Sequence, residues 1–168
     1  MFEQLTHHFR LVAGFLALIV VLFAGRGFTQ ELPFEEVSLD ELILESKSRM
    51  GAVEIPPPSK VRFRALVEEL PKERSSRYLL HVLSLFGTDP LPSVHQGMVL
   101  ESPAGAKQVV YVEESAAEAI STRLSRGDQA DFFGYWLFKS KHGPGILVSD
   151  FETTRSWYQA LIDRLQGN

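Results

Sequence analysis

Between Asp131 and His142 the chain reads DFFGYWLFKSKH. Aromatic side chains followed at once by basic ones could stack the bases of a single-stranded nucleic acid and hold its phosphates. Each base laid on an aromatic face contributes roughly 1–3 kcal/mol. Trp136 and Phe138 would be the stacking rings, with Lys139, Lys141 and His142 as phosphate contacts. Arg62 and Arg64, in VRFRALVEEL, could join them from another strand. Packing is the competing explanation, because apolar residues at strand spacing usually belong to a core. Phe133, Tyr135 and Leu137 would share one strand face, and Phe132, Gly134, Trp136 and Phe138 the other. A strand covered on both sides accounts for the whole pattern, with Gly134 at a bend or bulge. Packing is the preferred explanation, and the stretch is carried forward as a binding candidate.

Other chemistry is sparse. The chain has no cysteine, which removes disulfides, thiolate nucleophiles and Cys-type zinc sites. His81, His95 and His142 stand apart, without the spacing that would aim two ligands from one face, so no metal site is expected. His81 lies in an apolar stretch and reads as a core histidine. Ser93 and His95 share a loop but lack a nucleophile-elbow signature. Glu68–Glu69 and Glu113–Glu114 read as strand neighbours, so each pair splits between opposite faces and cannot act as a two-carboxylate acid–base pair. KHGPG (141–145) needs Gly143 or Gly145 at positive φ, which is turn geometry before it is function. We expect no catalytic residue, no cofactor and no enzyme activity. A third hypothesis is an envelope enzyme with a site assembled in space around His95 or His142.

The elements that position these residues follow from periodicity. Val61, Phe63, Ala65 and Val67 alternate with polar partners, so 61–70 reads as a half-buried strand. PKERSSR (71–77) reads as a turn, and YLLHVLSLFG (78–87) as a second strand pairing back on the first. After a loop at 88–97, strands at 98–103 and 107–114 flank AGA. A helix over 115–127 starts at Ser115 with Glu118 at the capping-box position. Strands 129–140 and 145–152 follow, then a helix over 153–165. Upstream, Ser38 and Glu41 open a helix over 38–50 that Gly51 ends, and PPP at 56–58 forces extended chain. That first helix should pack on its own chain and, with helix 153–165, cover the outside of the aromatic strand.

A helix between the third and fourth strands is the OB-fold arrangement. The expected class is therefore mainly β (α+β): an OB-fold-like, five-stranded Greek-key barrel with flanking helices and an N-terminal hydrophobic helix. Residues 109–148, VVYV through GILV, also resemble the second half of small secreted bacterial OB-fold proteins of uncharacterised function. The shared pattern is an apolar strand, a short helix, GD, a strand with an aromatic-Gly-Tyr step, and a Gly-containing turn into an Ile/Val strand. The His-rich stretch that follows the fifth strand in that family is SDFETT here. The resemblance implies the fold and carries over no binding residues.

Residues 11–24 are unbroken apolar sequence between Arg10 and Arg26. They suit a signal-peptide core, or, extended to 9–28, a membrane anchor. The organisation is thus 1–27 signal or anchor, 28–58 linker and helix, and 59–168 barrel. An address outside the cytoplasm follows, in the periplasm, either anchored in the inner membrane or secreted. A net charge of −4 argues against nucleic acid as a partner. The expected function is a binding or assembly module of the bacterial cell envelope. Its partner would be an envelope protein or surface ligand. The alternative is single-stranded nucleic-acid binding through 132–142.

Overall fold

The computed structural model describes residues 33–47 and 53–153. The apolar run with its 9–28 extension, Gly51 and the helix expected over 153–165 lie outside the described residues, except for Thr153. The described elements run in the order β1 (Glu35–Glu36), α1 (Leu39–Lys47), β2 (Ser59–Glu73), α2 (Arg77–Leu85), β3 (Gln96–Glu101), β4 (Lys107–Val112), α3 (Glu114–Arg123), β5 (Gln129–Ser140) and β6 (Gly143–Thr153). Among the described residues no helix is long and apolar enough to cross a membrane.

Five strands close into a barrel in the order β2-β3-β4-β6-β5, with β5 returning to β2. β4 and β6 run parallel, and the other barrel pairs are antiparallel. This is the OB-fold-like barrel, with α3 between its third and fourth strands. β2 is long enough to serve two partners on different stretches. Residues 59–66 pair with β5, and residues 66–73 pair with β3. β1 adds a short parallel rung at Val61 and Arg62.

The alternation in β2 becomes the barrel interior. Val61, Phe63, Ala65 and Val67 are all buried, and the Phe63 ring stacks on Phe132 of β5 at 6.0 Å. Two helices add to the same core: α1 through Leu39, Leu42 and Ile43, and α3 through Ala117 and Ile120. Each aliphatic side chain buried this way contributes roughly 1.5–3 kcal/mol. The first helix therefore packs on its own chain, as its apolar spacing implied. Asp40 ties it to the β3–β4 turn by accepting hydrogen bonds from the Ser102 hydroxyl and, at 3.2 Å, from the Ala104 amide.

Two glycines are required by close approach. Gly134 sits at a register shift in the β5–β6 ladder, where a Cβ would lie 2.0 Å from the Leu147 carbonyl oxygen. It is the bulge that the barrel strand needed. Gly143 has a φ of 111°, and a Cβ there would lie 2.0 Å from Gln108 Oε1.

One element differs in kind from the sequence reading. Residues 78–87 are not a strand; most of the stretch belongs to helix α2. Leu79, Val82 and Leu83 form its buried stripe at helical spacing, while His81 faces solvent. His81 is therefore not a core histidine. The expected turn at 71–77 is partly strand, because β2 continues to Glu73. Pro71 is accommodated at a shift in the β2–β3 register between Glu69 and Lys72, where no regular ladder bond is lost. Removing 78–87 from the strands leaves five, and puts α3 where the barrel order requires it. α3 itself starts at Glu114, with Glu113 as its N-cap, and ends at Arg123. Glu113 thus lies past the end of β4 rather than on a strand.

Candidate functional site

The aromatic strand is covered on both sides. Inside, Phe132 is fully buried and Trp136 packs against the barrel core. Outside, Leu137, Phe138 and Leu147 form a second core with Leu79, Val82 and Leu83 of α2. The outer cover therefore comes from α2, the helix the sequence reading took for a strand. Phe138 lies over Gly145, whose Cβ would meet the ring at 2.2 Å, and takes the Tyr78 ring edge-on at 5.0 Å.

The residues singled out from the sequence consequently fall into separate places. Trp136 is half-buried, and its Nε1 is buried without a hydrogen-bond partner among the described residues. Lys139 Nζ sits 4.8 Å from the Trp136 ring centroid and donates to Glu45 of α1. Lys141 and His142 form the exposed β5–β6 turn. The stacking pair therefore does not share an open surface with Lys141, since Phe138 is buried.

Arg62 and Arg64 sit on the barrel's outer side, where both converge on Asp131 of β5. Arg62 Nη2 donates at 2.7 Å, and Arg64 donates through Nε at 2.7 Å and Nη2 at 3.1 Å. The hydrogen bond from Arg64 leads in holding the Asp131 carboxyl below its ordinary range, with Arg62 adding to it. The same pairing raises both guanidinium groups. Arg62 also lies 5.3 Å from the Phe133 ring centroid, and Phe133 meets Phe34 edge-on at 5.3 Å. These contacts join residues far apart in the chain, and no local motif marks Asp131 or Phe34.

Two concavities flank the loop that joins the first and second barrel strands, residues 74–95. The larger, about 870 Å³, opens beside the start of α2 and is lined by Lys72, Arg74, Arg77 and His95 together with Glu73. Lys72 is already bonded to Glu69, and the Arg74 side chain lies across Gly97.

The smaller concavity, about 410 Å³, lies between this loop and the outer wall of β5 and β6. Leu83 of α2, Leu91 and Pro92 of the loop, and Tyr135 and Leu147 of the wall make it largely apolar. Tyr135 and Leu147 are direct neighbours across the β5–β6 ladder. Glu113 also lines it and is the one acid there. Its carboxylate has no hydrogen bond or ion pair among the described residues, and burial pushes its pKa up. Leu85 and Phe86 at the end of α2 are exposed, as is Leu91 in the cleft lining.

Ser93, within the same loop, donates to Glu114 at 2.6 Å and is not bonded to His95. Among the described residues no group of three His, Asp or Glu is placed to hold a metal ion. No protein-family model matches the chain, and no curated protein matches it.

Proposed function

We propose that the chain is a binding or assembly module of the bacterial cell envelope. On this reading it is held outside the cytoplasm by residues 9–28 as an inner-membrane anchor, or exported behind a cleaved signal. Its partner is an envelope protein or a surface ligand. One observation carries the binding role: the 74–95 loop exposes Leu85, Phe86 and Leu91, and Leu91 also lines a ligand-sized cleft. Exposed apolar groups gathered in one stretch mark interaction surfaces. OB barrels also commonly bind through the loop between their first two strands. The apolar run bounded by Arg10 and Arg26 supports the address. The nucleic-acid alternative has less support, because Arg62 and Arg64 are both engaged by Asp131 and Phe138 is covered by α2.

The test combines address and contact. A tagged full-length chain should fractionate with membrane or periplasm and be cut by protease added outside the inner membrane. A photo-crosslinking residue at Phe86 should give discrete adducts in cells, and one at exposed Ser125 should not. Recovery of the chain in the soluble cytoplasm sinks the address. Equal adduct patterns from both positions sink the contact surface.

A further inference from the structure

The geometry points to the Glu113 cleft as a binding site for a hydrophobic amine: one ammonium group on a compact alkyl or aryl body. This deepens the binding-module reading and rests on it. The volume, about 410 Å³, lies in the range of small-molecule sites, which are mostly apolar with a few placed polar groups. The walls supply the apolar part through Leu83, Leu91, Leu137 and Leu147, and Tyr135 adds an aromatic ring. No Lys, Arg or His is among the lining residues, so Glu113 sets the sign of the charge the cleft prefers.

Glu113 is half-buried, and partial loss of water from an unpaired carboxylate favours a cationic or hydrogen-bonding partner. Ser93 bonds Glu114, the adjacent acid, and not Glu113. The burial that raises the Glu113 pKa has no compensating partner to lower it. An ammonium ion seated against it would supply the missing opposite charge, and the apolar body would cover exposed Leu91 and half-buried Tyr135. A neutral analogue of the same shape would gain only the second contribution. An anionic analogue would be repelled.

Three isosteric probes separate these contributions: 4-phenylbutylamine, 4-phenylbutanol and 4-phenylbutyrate. Titration into the full chain, followed by calorimetry and by amide shifts, should rank amine above alcohol above acid. The shifts should concentrate at Leu91, Tyr135 and Leu147. Glu113→Gln should reduce amine affinity about tenfold, equivalent to about 1.4 kcal/mol, and leave the alcohol unchanged. Amine affinity should also fall on acidification as Glu113 takes up a proton. Leu147→Phe, which fills the cleft without touching the charge, should weaken amine and alcohol alike. Equal binding of amine and alcohol to the parent chain, or an amine affinity indifferent to Glu113→Gln, overturns the proposal. A failure here leaves the fractionation and crosslinking results standing, so the two readings fall separately.

Discussion

Leu79→Ala and Leu85→Ala distinguish a helix from a strand at the segment that covers the aromatic wall. On a strand the two positions share a face, so their truncations would cost similar amounts. On α2 they do not. Leu79 is 0% exposed in the cluster with Leu137, Phe138 and Leu147, whereas Leu85 is 58% exposed. Truncating a fully buried leucine costs about 3 kcal/mol, combining lost transfer energy with the residual cavity. Surface truncation usually changes stability by less than about 0.5 kcal/mol. In a domain of this size, 3 kcal/mol lowers the melting temperature by about 10 °C. Urea or guanidinium denaturation, read by tryptophan fluorescence, gives both values. Unchanged m-values would show that the denatured state is not the source of the difference. Costs within about 0.5 kcal/mol of one another would refute the covering helix, and with it the account of why the strand is apolar on both faces.

Gly134→Ala forces a Cβ against the Leu147 carbonyl, a backbone atom that cannot step aside. It should cost more than about 3 kcal/mol by chemical denaturation, and a loss under about 1 kcal/mol would disprove the tight bulge. Asp131→Asn removes the anion between two arginines and should cost about 1 kcal/mol at neutral pH, discounted for the exposure of Arg62 and Arg64. The Asp131 pKa is lowered on folding, so its contribution is present above the unfolded value of about 3.9 and is lost as pH falls through the lower folded value. The gap between parent and variant should therefore close in acid, and a gap independent of pH would rule out the ion triad. Glu113→Gln carries the opposite sign. Its pKa is raised on folding, so the parent is relatively favoured below the unfolded value of about 4.3 and loses that advantage as pH rises through the folded value. The variant should melt higher than the parent at pH 7 and lose that lead in acid. A variant that melts lower at pH 7 would mean that the carboxylate has a stabilising partner.

The readable parts of the sequence were those whose burial is local and periodic. Val61 through Val67, the hairpin around AGA and the paired strands after Gly127 show one residue pattern per element, and all recur in the structure. YLLHVLSLFG was ambiguous because both its faces carry apolar groups. One stripe reaches the barrel, and Tyr78, Leu85 and Phe86 remain exposed. A helical spacing of Leu79, Val82 and Leu83 was present, but a polar stretch upstream resembled a hairpin turn. The site was harder to read. Its cleft exists only because that helix and its trailing loop lean on the outer wall, so misassigning the segment hid the cavity. Separately, the strand expected over 107–114 ends at Val112, so Glu113 caps α3 instead of facing one side of a sheet. The Arg62–Asp131–Arg64 triad is similarly invisible, since its partners meet only when β2 and β5 are paired.

The seam between β2 and β5 has a consequence for the order of events during synthesis. Ser59 finds Trp136, and Leu66 finds Gln129, only after two other strands and two helices have been made in between. Until then Val61, Phe63 and Val67 have no ring to point into, and the leading strand waits as a sticky ribbon. A chain that must finish before it can close stays open for a long interval, which exposes it to aggregation until the seam is made.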